Sequence, residues 1–390
     1  MTLAAASIGC YASHRLADRA EGDGGLDGEE TGTCISAPCD RVVGVTAGSE
    51  HSCAWCASGA VLCWGRNTSG ELGDGTTTDR TVPGQVDRLC DVMSVAAGSR
   101  FTCGLRSNGR MACWGEDWLN AAGAGSRHSI LRPTDVPGVV DSVGVAAGDG
   151  HACALLGSGR ALCWGDNSHG QLGDGSMHAR ARPVGVAGLD DAIDLRAASA
   201  HSCARTRRGT LVCWGANLFF ALGDGTHTDR WTPTSVVGLT RAVSAVAPGG
   251  EHTCVLYVEG NGACWGQNFF GQVGDSTMTE RSAPAPVRDL ADGIQITAGR
   301  GHTCAVTTTG GVLCWGKNDK AQLGDIDGVN TPVPREVPGL TDVESVSAGV
   351  DHNCALTRSG EVWCWGWNWY GQLGDGTMSQ RSRPVRALLP

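Results

Sequence analysis

One tripeptide organises the whole chain. Cys-Trp-Gly occurs seven times in 390 residues, beginning at Cys63, Cys113, Cys163, Cys213, Cys264, Cys314 and Cys364. The intervals between copies are 50, 50, 50, 51, 50 and 50 residues. Each unit contains four short strand-like segments separated by glycine turns, and no stretch of useful length has helical periodicity. Self-similarity at a fixed period is the signature of a repeat architecture, so the chain consists of seven copies of one unit.

Four-stranded units of this length predict an all-β fold, a seven-bladed β-propeller in which each blade is a four-stranded antiparallel sheet. Seven units of about 50 residues place this domain at residues 39–390. The pattern leaves the closure of the ring open. Each blade is self-contained, or the last strand, near Arg383-Pro384-Val385, completes the first blade, which starts near Val42-Val43-Gly44-Val45.

The seventh unit shows the repeat most clearly. It contains Ala348-Gly349-Val350-Asp351-His352 before the tripeptide and Asn368-Trp369-Tyr370-Gly371-Gln372-Leu373-Gly374-Asp375-Gly376 after it. These motifs resemble the repeats of the regulator of chromosome condensation family, which form seven-bladed propellers, and especially its bacterial, exported, cysteine-paired members. The resemblance covers about residues 40–390.

The resemblance implies a fold more strongly than an activity, because one fold carries many functions. Members of the family include a nucleotide-exchange factor for a small GTPase, a plant ultraviolet photoreceptor and a secreted β-lactamase inhibitor. The Gly-Trp-Arg-His-Thr repeats of the photoreceptor are missing here, where the matching stretch is Gly299-Arg300-Gly301-His302-Thr303.

A second cysteine lies ten residues before each tripeptide, at Cys53, Cys103, Cys153, Cys203, Cys254, Cys304 and Cys354. Midway between the two cysteines is a three-residue turn that ends in glycine, as at Gly360, which fits a type I turn followed by a left-handed residue. That register sets the two cysteines opposite each other as a non-hydrogen-bonded pair, with Cα atoms about 4.5 Å apart. A disulfide tolerates this separation, so we predict one disulfide in each blade. The alternative is seven pairs of buried thiols.

Five cysteines remain: Cys10, Cys34, Cys39, Cys56 and Cys90. The last four allow three connectivities, of which closeness in sequence favours Cys34 with Cys39 and Cys56 with Cys90.

The segment before the repeats has two parts. Cys10 follows a run of small and apolar residues that resembles the lipid-attachment box of bacterial lipoproteins, so we interpret residues 1–10 as the end of a truncated signal peptide and Cys10 as a lipidation site. An ordinary exported or truncated N-terminus is the alternative. Residues 11–38 are rich in Gly, Asp and Glu and are predicted to form a flexible acidic linker.

The amino-acid composition limits the cellular compartments and the classes of partner that we expect. Nineteen cysteines favour an oxidising, extracytoplasmic location, whether periplasmic, lipid-anchored at the envelope or secreted. The net charge of −10 argues against nucleic acid as a partner. No apolar run approaches the roughly 20 residues of a membrane span, so membrane attachment is expected only through Cys10. We expect a monomer.

Six units carry a histidine two residues before the first hairpin cysteine, and Phe101 replaces it in the second unit; the histidines are His51, His151, His201, His252, His302 and His352. One histidine per blade is too widely spread for a single metal ion, so we expect a structural role in which each side chain bonds nearby backbone. No nucleophile elbow, phosphate loop, zinc-protease helix or calcium loop is present. No catalytic residue, metal or cofactor is predicted, and a non-enzymatic role is favoured.

The repeats differ most in the two positions that follow the motif asparagine and in their neighbours. Large apolar groups there are candidate ligand-binding residues: Trp118, Phe219, Phe220, Phe269, Phe270, Trp367, Trp369 and Tyr370. These loops and the Ala-Gly-x-x-His turns are expected at one end of each blade, with the hairpin glycines at the other. Exposed aromatics favour a binding surface, and packing between blades is the alternative.

The sequence therefore predicts a non-catalytic binding or scaffold protein of the cell envelope or exterior that presents a loop face to a protein or glycan ligand. Two alternatives stay open. One is a regulator like the nucleotide-exchange factors, by family analogy, and the other is a hydrolase or lyase that uses the propeller mouth.

Overall fold

The computed structural model describes residues 38–125 and 128–390. This part of the chain contains 28 β-strands and no helix. The strands form seven four-stranded antiparallel sheets, each made of four consecutive strands in chain order. The prediction of an all-β, seven-bladed propeller is therefore confirmed. Residues 1–37, with the predicted signal peptide, the linker before Pro38, Cys10 and Cys34, lie outside the described residues.

The first strand of each blade contacts the first strands of the neighbouring blades, so these seven strands surround the central axis. They are β1 (Val42–Ala47), β5 (Val92–Ala97), β9 (Ser142–Ala147), β13 (Ala192–Ala197), β17 (Val243–Pro248), β21 (Gly293–Ala298) and β25 (Val343–Ala348). The second strands are β2 (His51–Cys56), β6 (Phe101–Arg106), β10 (His151–Leu156), β14 (His201–Thr206), β18 (His252–Tyr257), β22 (His302–Thr307) and β26 (His352–Thr357).

The third strands carry the Cys-Trp-Gly motifs. They are β3 (Val61–Gly65), β7 (Met111–Gly115), β11 (Ala161–Gly165), β15 (Leu211–Gly215), β19 (Gly262–Gly266), β23 (Val312–Gly316) and β27 (Val362–Gly366). The outermost strands are β4 (Arg80–Gln85), β8 (Ile130–Asp135), β12 (Arg180–Gly185), β16 (Arg230–Ser235), β20 (Arg281–Pro286), β24 (Thr331–Glu336) and β28 (Arg381–Arg386). Each outermost strand has proline at its fourth position, which removes a donor from the exposed edge.

The up-and-down order of the strands gives every blade two distinct ends. The connections from first to second strand and from third to fourth strand leave at one end, which we name the loop end. The turns from second to third strand and the links between blades lie at the opposite end, the hairpin end. The predicted separation of the two kinds of loop is therefore confirmed.

The hairpin between the second and third strands has the predicted register. In the seventh blade Leu356 lies opposite Val362, and Cys354 lies opposite Cys364. The turn is closed by a hydrogen bond from the Gly360 backbone N–H to the Thr357 carbonyl. Gly360 has φ of +86°, a conformation that glycine adopts without a steric penalty.

The core lies between the blades, and the tryptophan of Cys-Trp-Gly is its largest component. All seven of these side chains are fully buried: Trp64, Trp114, Trp164, Trp214, Trp265, Trp315 and Trp365. Each indole Nε1–H donates to a backbone carbonyl of the preceding blade, as Trp365 does to Gln322 at 3.0 Å. Every blade is thereby joined to the one before it by both apolar area and a directed hydrogen bond.

The same contacts close the ring without any exchange of strands. The first blade consists of β1 to β4 and the seventh of β25 to β28, so each blade is self-contained. Trp64 donates to the Gln372 carbonyl of the seventh blade at 2.9 Å. The Gly376 N–H donates to the Thr81 carbonyl at 2.9 Å. Of the two closures that the sequence left open, the structure has the one with self-contained blades.

Candidate binding face

Seven disulfides connect the second and third strands, one in each blade: Cys53–Cys63, Cys103–Cys113, Cys153–Cys163, Cys203–Cys213, Cys254–Cys264, Cys304–Cys314 and Cys354–Cys364. The Cα atoms of each pair are 4.1 Å apart, and all fourteen residues are fully buried. This short distance is the close approach of a non-hydrogen-bonded antiparallel pair. The predicted disulfide of each blade is therefore confirmed.

The pairing favoured by sequence closeness is wrong. Cys39 bonds to Cys56, with Cα atoms 5.4 Å apart, which excludes both Cys34–Cys39 and Cys56–Cys90. Cys90 is also disulfide-bonded. The reason is tertiary: Cys56 ends β2 at the hairpin end, and the incoming chain runs beside it, with Ser58 Oγ donating to the Pro38 carbonyl at 3.1 Å. The chain therefore enters the first blade at the hairpin end.

The six repeated histidines are buried and join neighbouring blades. The Nε2 atom of each lies 2.8–3.0 Å from a polar side chain of the next blade, in the pairs His51–Thr102, His151–Ser202, His201–Thr253, His252–Thr303, His302–Asn353 and His352–Ser52. The role is structural, as predicted, but the expected partner was wrong. The partner is a side chain of the next blade, because the ring brings the second strands of successive blades face to face.

The hydrogen-bond directions fix the histidine tautomer. Asn353 Nδ2 donates to the Gln322 carbonyl at 2.7 Å, which leaves Asn353 Oδ1 to accept from His302 Nε2. Thr102 Oγ1 likewise donates to the Glu71 carbonyl and accepts from His51. Each histidine thus carries a proton on Nε2.

Burial lowers the pKa of every one of these histidines. The pKa of His51 and of His151 falls to about 4, and that of His201, His252 and His352 to about 3. The pKa of His302 is also lowered by burial. Positive charge on the neighbouring His51 and His302 further disfavours protonation of His352. All six side chains are therefore uncharged at neutral pH.

The second and third blades meet through a different pair. Phe101 replaces the histidine and is fully buried, and the position that receives the hydrogen bond elsewhere is Ala152. The donor and the acceptor are thus replaced together by apolar groups, which leaves no unsatisfied polar atom at that position.

The loop from third to fourth strand is held by its own asparagine. In the first blade Asn67 Oδ1 accepts from the Leu72 N–H at 3.0 Å, and Asn67 Nδ2 donates to the carbonyls of Thr76 and Thr78. Burial acts to raise the pKa of Asp74, but hydrogen bonds from Thr76 and the charge of Arg80 outweigh it and hold this pKa below its usual range. The same asparagine bonds recur at Asn167, Asn217, Asn268 and Asn368. These hydrogen bonds therefore fix the conformation of the loops that carry the tip residues.

The first residue after the motif asparagine, or after Asp117 in the second blade, is exposed in all seven blades. Among the candidates, this position holds Trp118, Phe269 and Trp369, which are 70%, 52% and 69% exposed. Leu218 occupies the same position in the fourth blade and is 67% exposed, although it was not among the predicted residues. Its equivalence to Trp118 in the repeat alignment was the signal that could have identified it.

The other five candidates are half-buried and contact neighbouring groups. Tyr370 lies against the Arg66 guanidinium of the first blade, 5.3 Å from the ring centroid, and makes an edge contact with Trp367. Phe219 meets Phe269 edge-to-face at 5.7 Å, so it links two adjacent blades.

Phe220 and Phe270 complete this half-buried set. Phe220 lies against His227, with ring centroids 3.6 Å apart. Phe270 lies 5.9 Å from the ammonium of Lys317 in the sixth blade. The candidate set thus divides into exposed tips at the first position and half-buried supports around them. We name the exposed tips, Trp118, Leu218, Phe269 and Trp369, the apolar rim.

Two further findings concern the rest of the described chain. No group of three or more His, Cys, Asp or Glu side chains within residues 38–125 and 128–390 is arranged to hold a metal ion. A cavity of about 420 Å³ lies at the hairpin end, with Leu189, Asp191, Thr206 and Arg208 among its lining residues.

Across the described ranges, the structure has no helix of the length and apolarity needed to span a membrane.

Comparisons with known proteins agree with the fold. The family model described as RCC1-like domain matches residues 142–389, and models of the regulator of chromosome condensation (RCC1) repeat match residues 58–105 and 42–71. No curated protein matches the chain.

Solved structures with the same fold share little sequence with this chain. Human WBSCR16 has a TM-score of 0.77 and 23% identity over 85% of this chain and 95% of its own. Prp20p from Saccharomyces cerevisiae, whose structure was described with its binding to Gsp1p and histones, has a TM-score of 0.71 and 21% identity over 79% of this chain and 80% of its own. The ectodomain of the Arabidopsis thaliana receptor kinase ACR4 has a TM-score of 0.54 and 18% identity over 90% of this chain and 99% of its own. At these identities the likeness concerns the fold.

Proposed function

Since the chain belongs to the family of RCC1-like domains, we propose that it is a non-catalytic binding protein that engages a protein or glycan ligand through the loop end of its propeller. The observation that carries this proposal is the apolar rim. Four large apolar side chains stand at one structurally equivalent position of seven loops, and all four are more than half exposed.

Contact between large apolar side chains and water is unfavourable unless a ligand covers them. Large exposed apolar surfaces mark interaction sites, and aromatic anchors supply much of the binding energy at interfaces. The asparagine bonds hold the loops of Leu218, Phe269 and Trp369 before any ligand arrives, so little conformational entropy is lost there on binding. A rigid ring with aromatic tips suits recognition of a surface.

The hairpin end lacks these features. No exposed aromatic side chain is found there among the described residues; its exposed apolar groups include Met93, Val143 and Ile294 on the innermost strands. The chain also enters the propeller at the hairpin end, beside Cys56. A tether attached at that point keeps the attachment away from the loop end. The two ends therefore suit different tasks, attachment and recognition.

We further propose an extracytoplasmic location, with lipidation of Cys10 as one route to the envelope. The support is the disulfide set, since a bond in every blade and another at Cys39–Cys56 require an oxidising compartment to form and persist. Mass spectrometry of the mature N-terminus tests the lipid. An unmodified Met1 in a bacterial host argues against it.

The binding proposal is tested by recovery of ligand from the native envelope fraction with three purified proteins. They are the wild type, a rim variant with Trp118→Ser, Phe269→Ser and Trp369→Ser, and a control variant with Met93→Ser, Val143→Ser and Ile294→Ser at the hairpin end. Recovered proteins are identified by mass spectrometry and recovered glycans by sugar analysis.

We expect one species to be retained by the wild type and the control and lost with the rim variant, while the unfolding temperatures of wild type and rim variant agree. Equal retention by the rim variant would refute the proposal. Loss of binding with the control alone would move the site to the hairpin end.

A further inference from the structure

We propose that the partner of the loop end is a basic protein surface. This inference rests on the proposed function and adds the class of ligand. Two observations support it. Acidic residues outnumber basic residues around the apolar rim, and the exposed apolar side chains there are mainly aromatic residues and methionines.

Acidic residues are concentrated at the loop end. The sequence segments between first and second strands and between third and fourth strands contain 19 Asp and Glu but only 6 Lys and Arg. Five of these aspartates pair with the arginine that begins the following outermost strand, as Asp375 does with Arg381 at 2.7 Å. The excess of negative charge persists after those pairs are set aside.

The hairpin end is nearly balanced. Its turns and the links between blades contain 10 Asp and Glu and 8 Lys and Arg. Several of these are paired with one another, as Arg358 is with Asp342 at 3.0 Å. The net charge of this propeller is therefore concentrated at the end that also carries the aromatic tips. A partner that covers the rim meets a negative potential, and a positive surface complements it.

In the fifth blade, acidic residues lie in the loop-end segments of the blade that carries the exposed side chain of Phe269. Phe269 stands at the tip of its loop, and Glu251 and Glu280 belong to the two loop-end segments of the same blade. Glu251 is exposed and accepts a hydrogen bond from Gln267 Nε2 at 2.6 Å. Burial of part of its carboxylate raises the pKa of Glu251, the positive charge of Arg300 opposes this, and the negative charge of Glu280 adds to it. The negative charges of Glu251 and Glu280 thus disfavour each other, and positive charge on a partner reduces this repulsion.

The apolar chemistry favours a protein over a glycan. Besides the rim, exposed methionines occupy the same loops in the third, fifth and seventh blades, at Met177, Met278 and Met378. Methionine and aromatic side chains are enriched at protein interfaces, where flexible thioethers adapt to a partner's side chains. Acidic groups around such anchors speed association with a basic partner and exclude acidic ones.

A random peptide library displayed on phage provides a test for which the ligand need not be identified. The library is selected on the wild type and depleted on the rim variant, so that only rim-dependent sequences remain. Enriched peptides are synthesised, and their dissociation constants are measured for the wild type, for Glu251→Gln with Glu280→Gln, and for a matched control at the hairpin end, Glu259→Gln with Asp289→Asn. An array of microbial and mammalian glycans is probed with the same proteins.

We expect the enriched peptides to carry net positive charge beside apolar residues. Their affinity should fall about tenfold when the salt concentration rises from about 50 mM to about 500 mM, because screening weakens exposed charge pairs. The Glu251 and Glu280 replacements should weaken binding about three- to tenfold, and the control should leave it unchanged.

The outcomes separate the two proposals. Rim-dependent peptides of neutral or acidic composition, or rim-dependent binding of a glycan, overturn the basic-protein inference and leave the binding function intact. An absence of any rim-dependent peptide or glycan, together with failure of the envelope experiment, overturns both.

Discussion

The buried layer between blades and the loop tips follow opposite rules. In the buried layer seven tryptophans and seven disulfides occupy identical positions, one of each in every blade, and six of the seven blades keep the histidine. At the tips, the exposed first position of the turn changes from Thr68 to Trp118 to Asp319, while every loop keeps the backbone hydrogen bond that closes this turn. Repetition thus marks what holds the ring together, and variation marks what can face a partner. Five predictions test that division, from the largest expected effect to the smallest.

Acid should weaken the buried layer first. At pH 7.5 and above, nearly all of the six histidines are neutral in both the folded and the unfolded chain, so they add little pH dependence. Between pH 6.5 and about 4 the unfolded chain binds protons that the folded ring does not, because burial lowers the pKa of all six histidines, and that of five of them to about 3 or 4. Stability should therefore fall as pH falls, by up to about 1.4 kcal/mol per pH unit for each histidine.

Denaturant midpoints at several values between pH 7.5 and pH 5 measure this slope. The range stays above the titration of the loop aspartates, whose pKa values are held low. A midpoint that does not change between pH 7 and pH 5 would show that the histidines are accessible to protons in the folded protein.

Two tryptophans four residues apart should behave oppositely. Trp365 is fully buried and donates to Gln322, so Trp365→Ala should cost about 3–5 kcal/mol of stability through the lost area and the cavity. Trp369 is 69% exposed, so Trp369→Ala should change stability by less than about 0.5 kcal/mol. Thermal unfolding of the two variants measures the contrast, and equal losses would mean that Trp369 packs as part of the core.

Removal of one blade disulfide should cost an intermediate amount. The double replacement Cys354→Ala and Cys364→Ala releases a loop closed by a separation of ten residues, which corresponds to about 2–3 kcal/mol in the chain-entropy estimate. Denaturant titration of this variant against the wild type gives the value.

Thiol chemistry gives an independent measure of the same bonds. Cys39 is only half-buried, so the Cys39–Cys56 bond should be reduced before any blade disulfide when dithiothreitol is added to the folded protein. Unreduced, denatured protein should yield none of the fourteen hairpin cysteines as free thiols. Fourteen or more free thiols would contradict the disulfide assignment.

The apolar pair between the second and third blades, Phe101 and Ala152, should also be tolerated at the contact between the seventh and first blades. His352→Phe alone places an aromatic ring against the Ser52 hydroxyl and should cost about 1–2 kcal/mol. Adding Ser52→Ala copies the Phe101 and Ala152 pair and should recover most of that loss.

The double variant also has one histidine fewer, so its acid slope should be about one-sixth smaller than that of the wild type. Unfolding midpoints at pH 7.5 and pH 5 test both effects. Failure of Ser52→Ala to recover stability would mean that the histidine site cannot accommodate phenylalanine.

Much of this fold was predictable because the same local sequence pattern occurs in all seven repeats. The ten-residue spacing and the turn glycine determine which cysteines face each other, and no distant part of the chain is needed for that conclusion. Prediction failed where a residue's partner depends on the tertiary path of the chain. His352 meets Ser52 across 300 residues, and Cys39 meets Cys56 only because the entering chain runs beside the first hairpin.

The candidate site, too, was predicted from the sequence only in part. The sequence identified the aromatic positions but could not separate Trp369, whose side chain is exposed, from Tyr370, which lies against Arg66 of another blade. Residues adjacent in sequence point in different directions, and whether a neighbouring blade covers them depends on the ring.

The sequence by itself determined the number of blades, the strands within each blade, the blade disulfides and the end at which each loop lies, because these follow from local spacing and turn chemistry. Only the tertiary structure decided the self-contained closure, the histidine partners, the Cys39–Cys56 bond and the exposed members of the rim. The closure, the histidine partners and the exposure of the rim depend on how blades meet, and those contacts exist only after the ring has placed residues from different repeats side by side. The Cys39–Cys56 bond depends on the path of the chain that enters the first blade.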